Sequence, residues 1–270
     1  MNPYNKIIDD LSNADYHANT EAVSNSQLSR VLRSPATINA KMKQTPSLRW
    51  GSLVHLFILE QHKFEREVAI MPDGLDSGKG AKARVEEFEL QNAGKEILSA
   101  GEMIQLTAIR DAVYRDDDAV KLLLPSGRVE HSIFWEDELT GVKCRCRPDL
   151  WRNDNIVVDL KTTSSGVDSW SFGASAWEYG YDRQSAFYAD GILAVTGKPI
   201  DAFVFIAIEG KEEPMIQIEC YNVEPAVMEI GRSRYRTALE IYKKCLDSGS
   251  FPKKMVKGIK PLTLPKYASI

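Results

Sequence analysis

Two periodicities divide the chain. In the first half, apolar residues recur at helical spacing; in the second they alternate at spacing two. Within SLRWGSLVHLFILEQHKF (47–64), Leu53, Val54, Phe57 and Ile58 share one face, which predicts a helix packed inward along it. Capping boxes open two more helices, Ser24 with Gln27 and Ser99 with Glu102, the second running to about Tyr114. Ser34–Pro35 predicts a short helix with proline at its first position. PDGLDSGKGAKAR (72–84) is polar and glycine-rich and predicts a mobile loop.

The period then changes. VEHSIFWED (129–137), GVKCRCRPDLW (141–151), NIVVDLKTT (155–163), AFVFIAIE (202–209) and MIQIECYNV (215–223) predict strands, rich in β-branched and aromatic residues and bounded by turn residues. A helical stretch, AWEYGYDRQSAFYADGILAV (176–195), lies between the third and fourth. A long helix opens at Glu224–Pro225 and runs to about Asp247. The first three strands predict an antiparallel meander, and the helix after them a crossover to a further strand. The fold class is therefore α/β, a central mixed sheet flanked by helices. No linker-like run divides the chain, so one domain is expected over 1–270: a mainly helical part (1–120), a sheet core (121–250) and a basic tail (251–270).

Composition changes this picture little. A hydrophobic content of 43% supports a sizeable core, and a net charge of −4 does not announce a nucleic-acid binder, although a basic groove can sit on an acidic protein. The start, MNPYNKIIDDLSNADYH, lacks the basic and apolar regions of a signal peptide, and AFVFIAI (202–208) is too short to span a bilayer. Cys144, Cys146, Cys220 and Cys245 match neither a zinc site nor a disulfide ladder, and no C-x-x-C run supports an iron–sulfur cluster. Reduced thiols in a cytoplasmic protein without a membrane partner are the expectation.

The chemistry concentrates in RPDLWRNDNIVVDLKTT (147–163). Side chains alternate along a strand, so Lys143, Arg145, Arg147 and Asp149 share a face, opposite Val142, Cys144 and Cys146. On the next arm Val157, Asp159 and Lys161 share a face. A hairpin centred on Asp154 sets Asp149 across from Asp159, with Cβ atoms about 4.5–5.5 Å apart. Like charges so placed destabilise a bare hairpin, whereas a divalent cation between them reverses the sign. A solvated hairpin is the bland alternative, and Asp-x-Lys alone is a common tripeptide. Pro-Asp followed by Asp-x-Lys inside an apolar strand is more specific. GLDSGKG in the loop mimics a phosphate loop, but its glycines are too close and no Ser/Thr follows Lys79, which excludes nucleotide binding.

This segment resembles the PD-(D/E)xK nuclease signature, with Pro148–Asp149 and Asp159–Leu160–Lys161 in its slots. CRCRPD, DLKTT and YDRQSAFYADG, with SNSQLSRVLRSPA and WGSLVHLFILE upstream and LTLPKYA downstream, resemble the exodeoxyribonuclease VIII type of nuclease domain, a prophage-encoded relative of RecB-type and phage lambda exonuclease-type nucleases. The resemblance implies a restriction-endonuclease-like core. It makes Asp149, Asp159 and the Leu160 carbonyl metal ligands, with His55 as a further ligand in a G-x-x-x-H helix motif that starts at Gly51. Lys161 would position or activate water. Gln184 and Tyr188, spaced i, i+4, would face the phosphate or DNA strand. Glu130, opening the strand before the hairpin, is a candidate supporting carboxylate.

The implied activity is Mg²⁺-dependent hydrolysis of linear duplex DNA from its ends, 5′ to 3′, in phage-type recombination, with Mn²⁺ as a substitute. A homo-oligomeric ring and a single-strand annealing recombination protein are the implied partners. An endonuclease and a catalytically silent DNA-binding module on the same fold are the alternatives. Phosphate contacts fall to Lys and Arg, and the candidates are Arg145, Arg147, Lys79, Lys82 and Arg84, with Lys253, Lys254, Lys257, Lys260 and Lys266 in the tail.

Overall fold

A computed structural model describes residues 2–40 and 44–253. The strands in chain order are β1 (Lys6–Ile8), β2 (Val68–Ile70), β3 (Glu96–Leu98), β4 (Gly127–Val129), β5 (Ser132–Glu136), β6 (Lys143–Cys146), β7 (Leu150–Arg152), β8 (Ile156–Thr163), β9 (Ala202–Glu209) and β10 (Gln217–Asn222). The helices are α1 (Asn13–Ala18), α2 (Asn25–Arg33), α3 (Pro46–Leu59), α4 (Gln61–Glu67), α5 (Ala81–Gln91), α6 (Ala100–Arg115), α7 (Asp117–Leu123), α8 (Ser169–Tyr179), α9 (Tyr181–Thr196) and α10 (Pro225–Ser248).

The main sheet has the order β10-β9-β8-β7-β4. It is mixed: β8 runs parallel to β9 and antiparallel to β7. The α8–α9 segment makes the crossover between β8 and β9, as the spacing predicts. Both faces of β8 are covered, which explains its unbroken apolar run. Val157 lies in one core with Phe203, Phe205, α9 and α10, while Val158 and Leu160 lie in another with α3 and α6. Gly231 of α10 is what lets that helix approach α9, since a Cβ there would sit 1.9 Å from the Asp182 carbonyl oxygen.

Four expected elements divide. The strand expected over 129–137 breaks at Glu130, whose φ of +54° leaves the extended region. Gly127–Val129 joins the main sheet and Ser132–Glu136 a separate sheet, β1-β5-β6. The strand expected over 141–151 breaks at Arg147–Asp149, where Pro148 has no amide to donate to a ladder. The helix expected to run to 64 breaks at Glu60, and the one over 176–195 is two helices hinged at Gly180, which is left-handed at φ +75°. The Ser34–Pro35 helix is one short 3-10 turn, Pro35–Thr37. The glycine-rich loop is shorter than expected because α5 begins at Ala81; that helix buries no residue, so periodicity carries no trace of it. The basic tail beyond Lys253 and the LTLPKYA block lie outside the described residues.

Candidate active site

The two strand breaks meet. The Glu130 amide donates to the Asp149 carbonyl at 3.1 Å, so both chain segments leave the main sheet together. β7 pairs with β8 only through Leu150↔Val158 and Trp151↔Val157. That register is centred on 154, and its next step sets Asp149 against Asp159. No strand continues there, and the Asp149 carboxylate takes its place: Oδ2 accepts from the Leu160 amide at 2.8 Å. The N–H and C=O of an extended residue point to the same side, so the Leu160 carbonyl also faces this gap.

The gap lets the helix layer reach in. His55 projects from α3, and its Nδ1 lies 3.2 Å from Asp149 Oδ2. Gly51, one turn earlier, faces β8; a Cβ there would lie 3.2 Å from Thr162 Oγ1. Donor atoms of His55, Glu130 and Asp149 fall within 4.8 Å of one another. Asp159 stands outside this triad. It is fully buried, at 0% exposure, with Oδ2 accepting from Gln184 Nε2 at 2.5 Å and Oδ1 against the Lys161 ammonium.

The electrostatics follow from crowding anions in a dry space. Burial, then Asp149, pushes the Glu130 carboxyl up to about 8, and the same two causes push Asp159 up to about 6. Asp149 goes the other way: burial opposes its charge, but His55 and Lys161 hold it below the usual range. Burial would lower His55, yet Asp149 outweighs it and raises the imidazole to about 9. Lys161 is likewise held charged, since Asp159 and Asp149 outweigh its burial.

The donor set suits a divalent cation. One imidazole nitrogen and carboxylate oxygens converge, and oxygen-rich ligation favours hard ions. Asp159 Oδ1 makes no aligned hydrogen bond although it is buried. Glu130 and Asp159, both raised by burial and then by the nearby Asp149 charge, mark a site where an added cation would be favoured. The residues therefore fit a metal centre, held by His55, Glu130 and Asp149, with Asp159 and the Leu160 carbonyl on its border.

The profile of one family, described as a PDDEXK-like domain of unknown function (DUF3799), matches residues 24–257. The chain belongs to this PDDEXK-like family. The match spans every residue of the centre. No curated protein matches the chain. Among solved structures, a provisionally named exonuclease from Eubacterium rectale is similar over 94% of this chain and 96% of its own, with a TM-score of 0.63 and 17% identity. At that identity the likeness establishes a shared fold. A phage-related exonuclease from Haemophilus somnus 129PT (12% identity, 73% and 95% covered, TM-score 0.35) and an alkaline exonuclease from Laribacter hongkongensis (12%, 87% and 95%, TM-score 0.33) are too distant in shape to carry an argument.

Of the residues the sequence singles out, this PDDEXK-like fold gathers His55, Glu130, Asp149, Asp159, Leu160, Lys161 and Gln184. Tyr188 lies one turn beyond Gln184 with its ring 6.3 Å from Phe203; burial pushes its hydroxyl far up. Arg145 and Arg147 do not face outward as a simple alternation implies, because their strand turns away from the main sheet. Arg145 is buried, donates to Asn19 and packs over Tyr16. Arg147 donates to Ser132 Oγ at 2.7 Å and to the Leu11 carbonyl at 2.9 Å, with its guanidinium 4.0 Å from Glu130. Both are committed inside the protein. Arg84, in the first turn of α5, is spent on the Lys79 and Ser77 carbonyls of the loop before it, while Lys79 and Lys82 are exposed.

One partner was missed. The Tyr181 ring centre lies 4.9 Å from Lys161 Nζ, with Phe205 at 5.6 Å. Both rings lie within cation–π reach of the ammonium, Phe205 from the strand position paired with Asp159. Tyr181, Gln184 and Tyr188 are spaced i, i+3, i+7, so one helical stripe marks all three.

Among the described residues, no helix is long and apolar enough to cross a membrane.

Proposed function

We propose that this protein is a metal-dependent DNA exonuclease of the exodeoxyribonuclease VIII type, hydrolysing linear duplex DNA from its ends, 5′ to 3′, in phage-type recombination. The observation that carries the reading is a buried Asp159–Lys161 pair joined through the Leu160 amide to the His55–Glu130–Asp149 triad. Mg²⁺ is the preferred ion, with Mn²⁺ as substitute. A bound cation supplies polarisation of a phosphoryl oxygen and a lowered pKa for water.

The protein's own groups do the rest. His55, Glu130 and Asp149 hold the ion. Gln184 fixes the Asp159 carboxylate by its hydrogen bond, and Asp159 in turn fixes Lys161. Lys161 presents positive charge where the phosphate gathers negative charge in the transition state. Tyr181 and Phe205 add cation–π contacts that help hold the ammonium in place. Lys79 and Lys82 remain as phosphate contacts. A ring of copies around DNA and an annealing protein that takes up the exposed strand complete the proposal.

Linear and covalently closed circular duplex of one sequence, incubated with Mg²⁺, test the mode of attack. Only the linear form is expected to be degraded, with mononucleotides released from 5′ ends. Cutting of both forms at equal rates would make it an endonuclease.

A further inference from the structure

Among the charged groups that the proposed mechanism does not use, Arg183 is the most deeply enclosed arginine after Arg145. It sits in the first turn of α9 and is 5% exposed, yet it makes no ion pair among the described residues. Its Nη2 donates to Ser29 Oγ of α2 at 2.6 Å, and Ser29 donates onward to the Asn25 carbonyl at 3.0 Å. Its Nε is buried with no hydrogen-bond partner among the described residues. The carboxylate next to it in sequence, Asp182, gives Oδ2 to Arg234 of α10 at 2.6 Å. Arg33 lies one turn after Ser29 on the same stripe of α2; it is exposed and also pairs with no carboxylate among the described residues. Three guanidinium groups thus share one carboxylate where α2, α9 and α10 meet.

The start of α9 adds to the positive potential. Its N-cap is Gly180, which offers no side chain to the first amides of the helix. The Arg183 guanidinium folds back over this start, since a Cβ on Gly180 would lie 2.0 Å from Nη2. Burial, then the charge of Arg234, lowers Arg183 from its ordinary value; Asp182 opposes them and Arg33 adds to them. An arginine stays charged even so. A buried cation short of a counter-ion costs stability, and an anion that completes the set recovers it.

We propose that the junction of α2, α9 and α10 is a phosphate site, in which Arg183 and Arg33 bind a phosphate group at the start of α9. Guanidinium forks match the several oxygens of a phosphate, and an uncapped helix start favours the same charge. Ser29 keeps Arg183 in place but has its own proton committed to Asn25. Tyr181 and Gln184 of the same turn of α9 face Lys161 and Asp159, so the site lies on the adjoining flank of the helix that serves the candidate centre. A DNA strand held here by one phosphate would pass beside that centre. The strand as source of the phosphate rests on the nuclease reading; the site itself does not.

The test uses the full chain in EDTA. Inorganic phosphate is expected to raise the melting temperature of the wild type above that in acetate or chloride of equal ionic strength. Arg33→Gln, a surface change, should lose most of this rise and keep the starting midpoint. Arg183→Met should lose all of it, and Arg33→Gln decides the case if the buried substitution does not fold. Lys161→Met should keep the rise, which separates this site from the candidate centre. Equal midpoints in the three salts, a full rise in Arg33→Gln, or a rise that disappears in Lys161→Met would each overturn the site. Fluorescence anisotropy with a labelled oligothymidylate then assigns the source. For a strand phosphate, Arg33→Gln should lower the slope of log affinity against log salt concentration by about 0.7, one phosphate contact on a single strand. An unchanged slope with a lost thermal response would keep the site and overturn the strand as its source, in favour of free phosphate or a mononucleotide. Hydrolysis of DNA by the wild type with Mn²⁺ is scored separately. A phosphate response without cleavage under any divalent ion would remove the nuclease reading and keep the site, and cleavage without a phosphate response would do the reverse.

Discussion

Lys161→Met will lose DNA hydrolysis by about 10²- to 10³-fold and remain folded, with DNA affinity nearly unchanged. The magnitude is that of removing one charged or hydrogen-bonding group aimed at developing negative charge. Methionine preserves the volume between Tyr181 and Phe205 while deleting the ammonium. The fold tolerates the change because Asp159, already pushed up to about 6 by burial and then by Asp149, can take up a proton once its cation is gone. Gln184 still donates to its other oxygen. Single-turnover cleavage alongside circular dichroism separates lost chemistry from lost structure. Full activity in this variant would remove Lys161 from the mechanism.

Much of this centre is legible in sequence because a hairpin is a local object. Asp149 and Asp159 are equidistant from Asp154, and the observed pairs Leu150↔Val158 and Trp151↔Val157 keep that symmetry. Gln184 was legible only through the resemblance, since no local spacing ties its helix to Asp159. Glu130 was legible only as a supporting group. Its entry into the triad depends on a left-handed backbone at a non-glycine residue, which alternation does not reveal. Such strained positions concentrate at functional sites. The inward turn of Arg145 and Arg147 was hidden for the same reason: the strand that carries them changes sheets at Pro148. The N-terminal strands of three residues each are too short for any period to show.

A divalent cation will raise the melting temperature of the wild type by several degrees, and Asp149→Asn will abolish that rise. An ion that binds only the folded state at about 100 times its dissociation constant adds about 2.7 kcal/mol. For a chain of this size each kcal/mol shifts the midpoint by about 2–4 °C. The variant loses one anionic donor, keeps the carboxamide oxygen facing the Leu160 amide, and leaves His55 without its charged neighbour. Glu130→Gln should weaken the rise without removing it, because Glu130 is the less enclosed of the two carboxylates, half-buried where Asp149 is buried. Thermal unfolding in EDTA and in Mn²⁺ reads both effects. Equal midpoints in the two solutions for wild type would mean that no ion is held.

The most direct measurement is anomalous diffraction from crystals of the wild-type protein equilibrated with Mn²⁺. A peak within about 2.0–2.6 Å of an Asp149 oxygen, and in reach of His55 and Glu130, is the predicted result. Saturating Mn²⁺ with no peak between those three side chains, or with its peak elsewhere, would contradict the account.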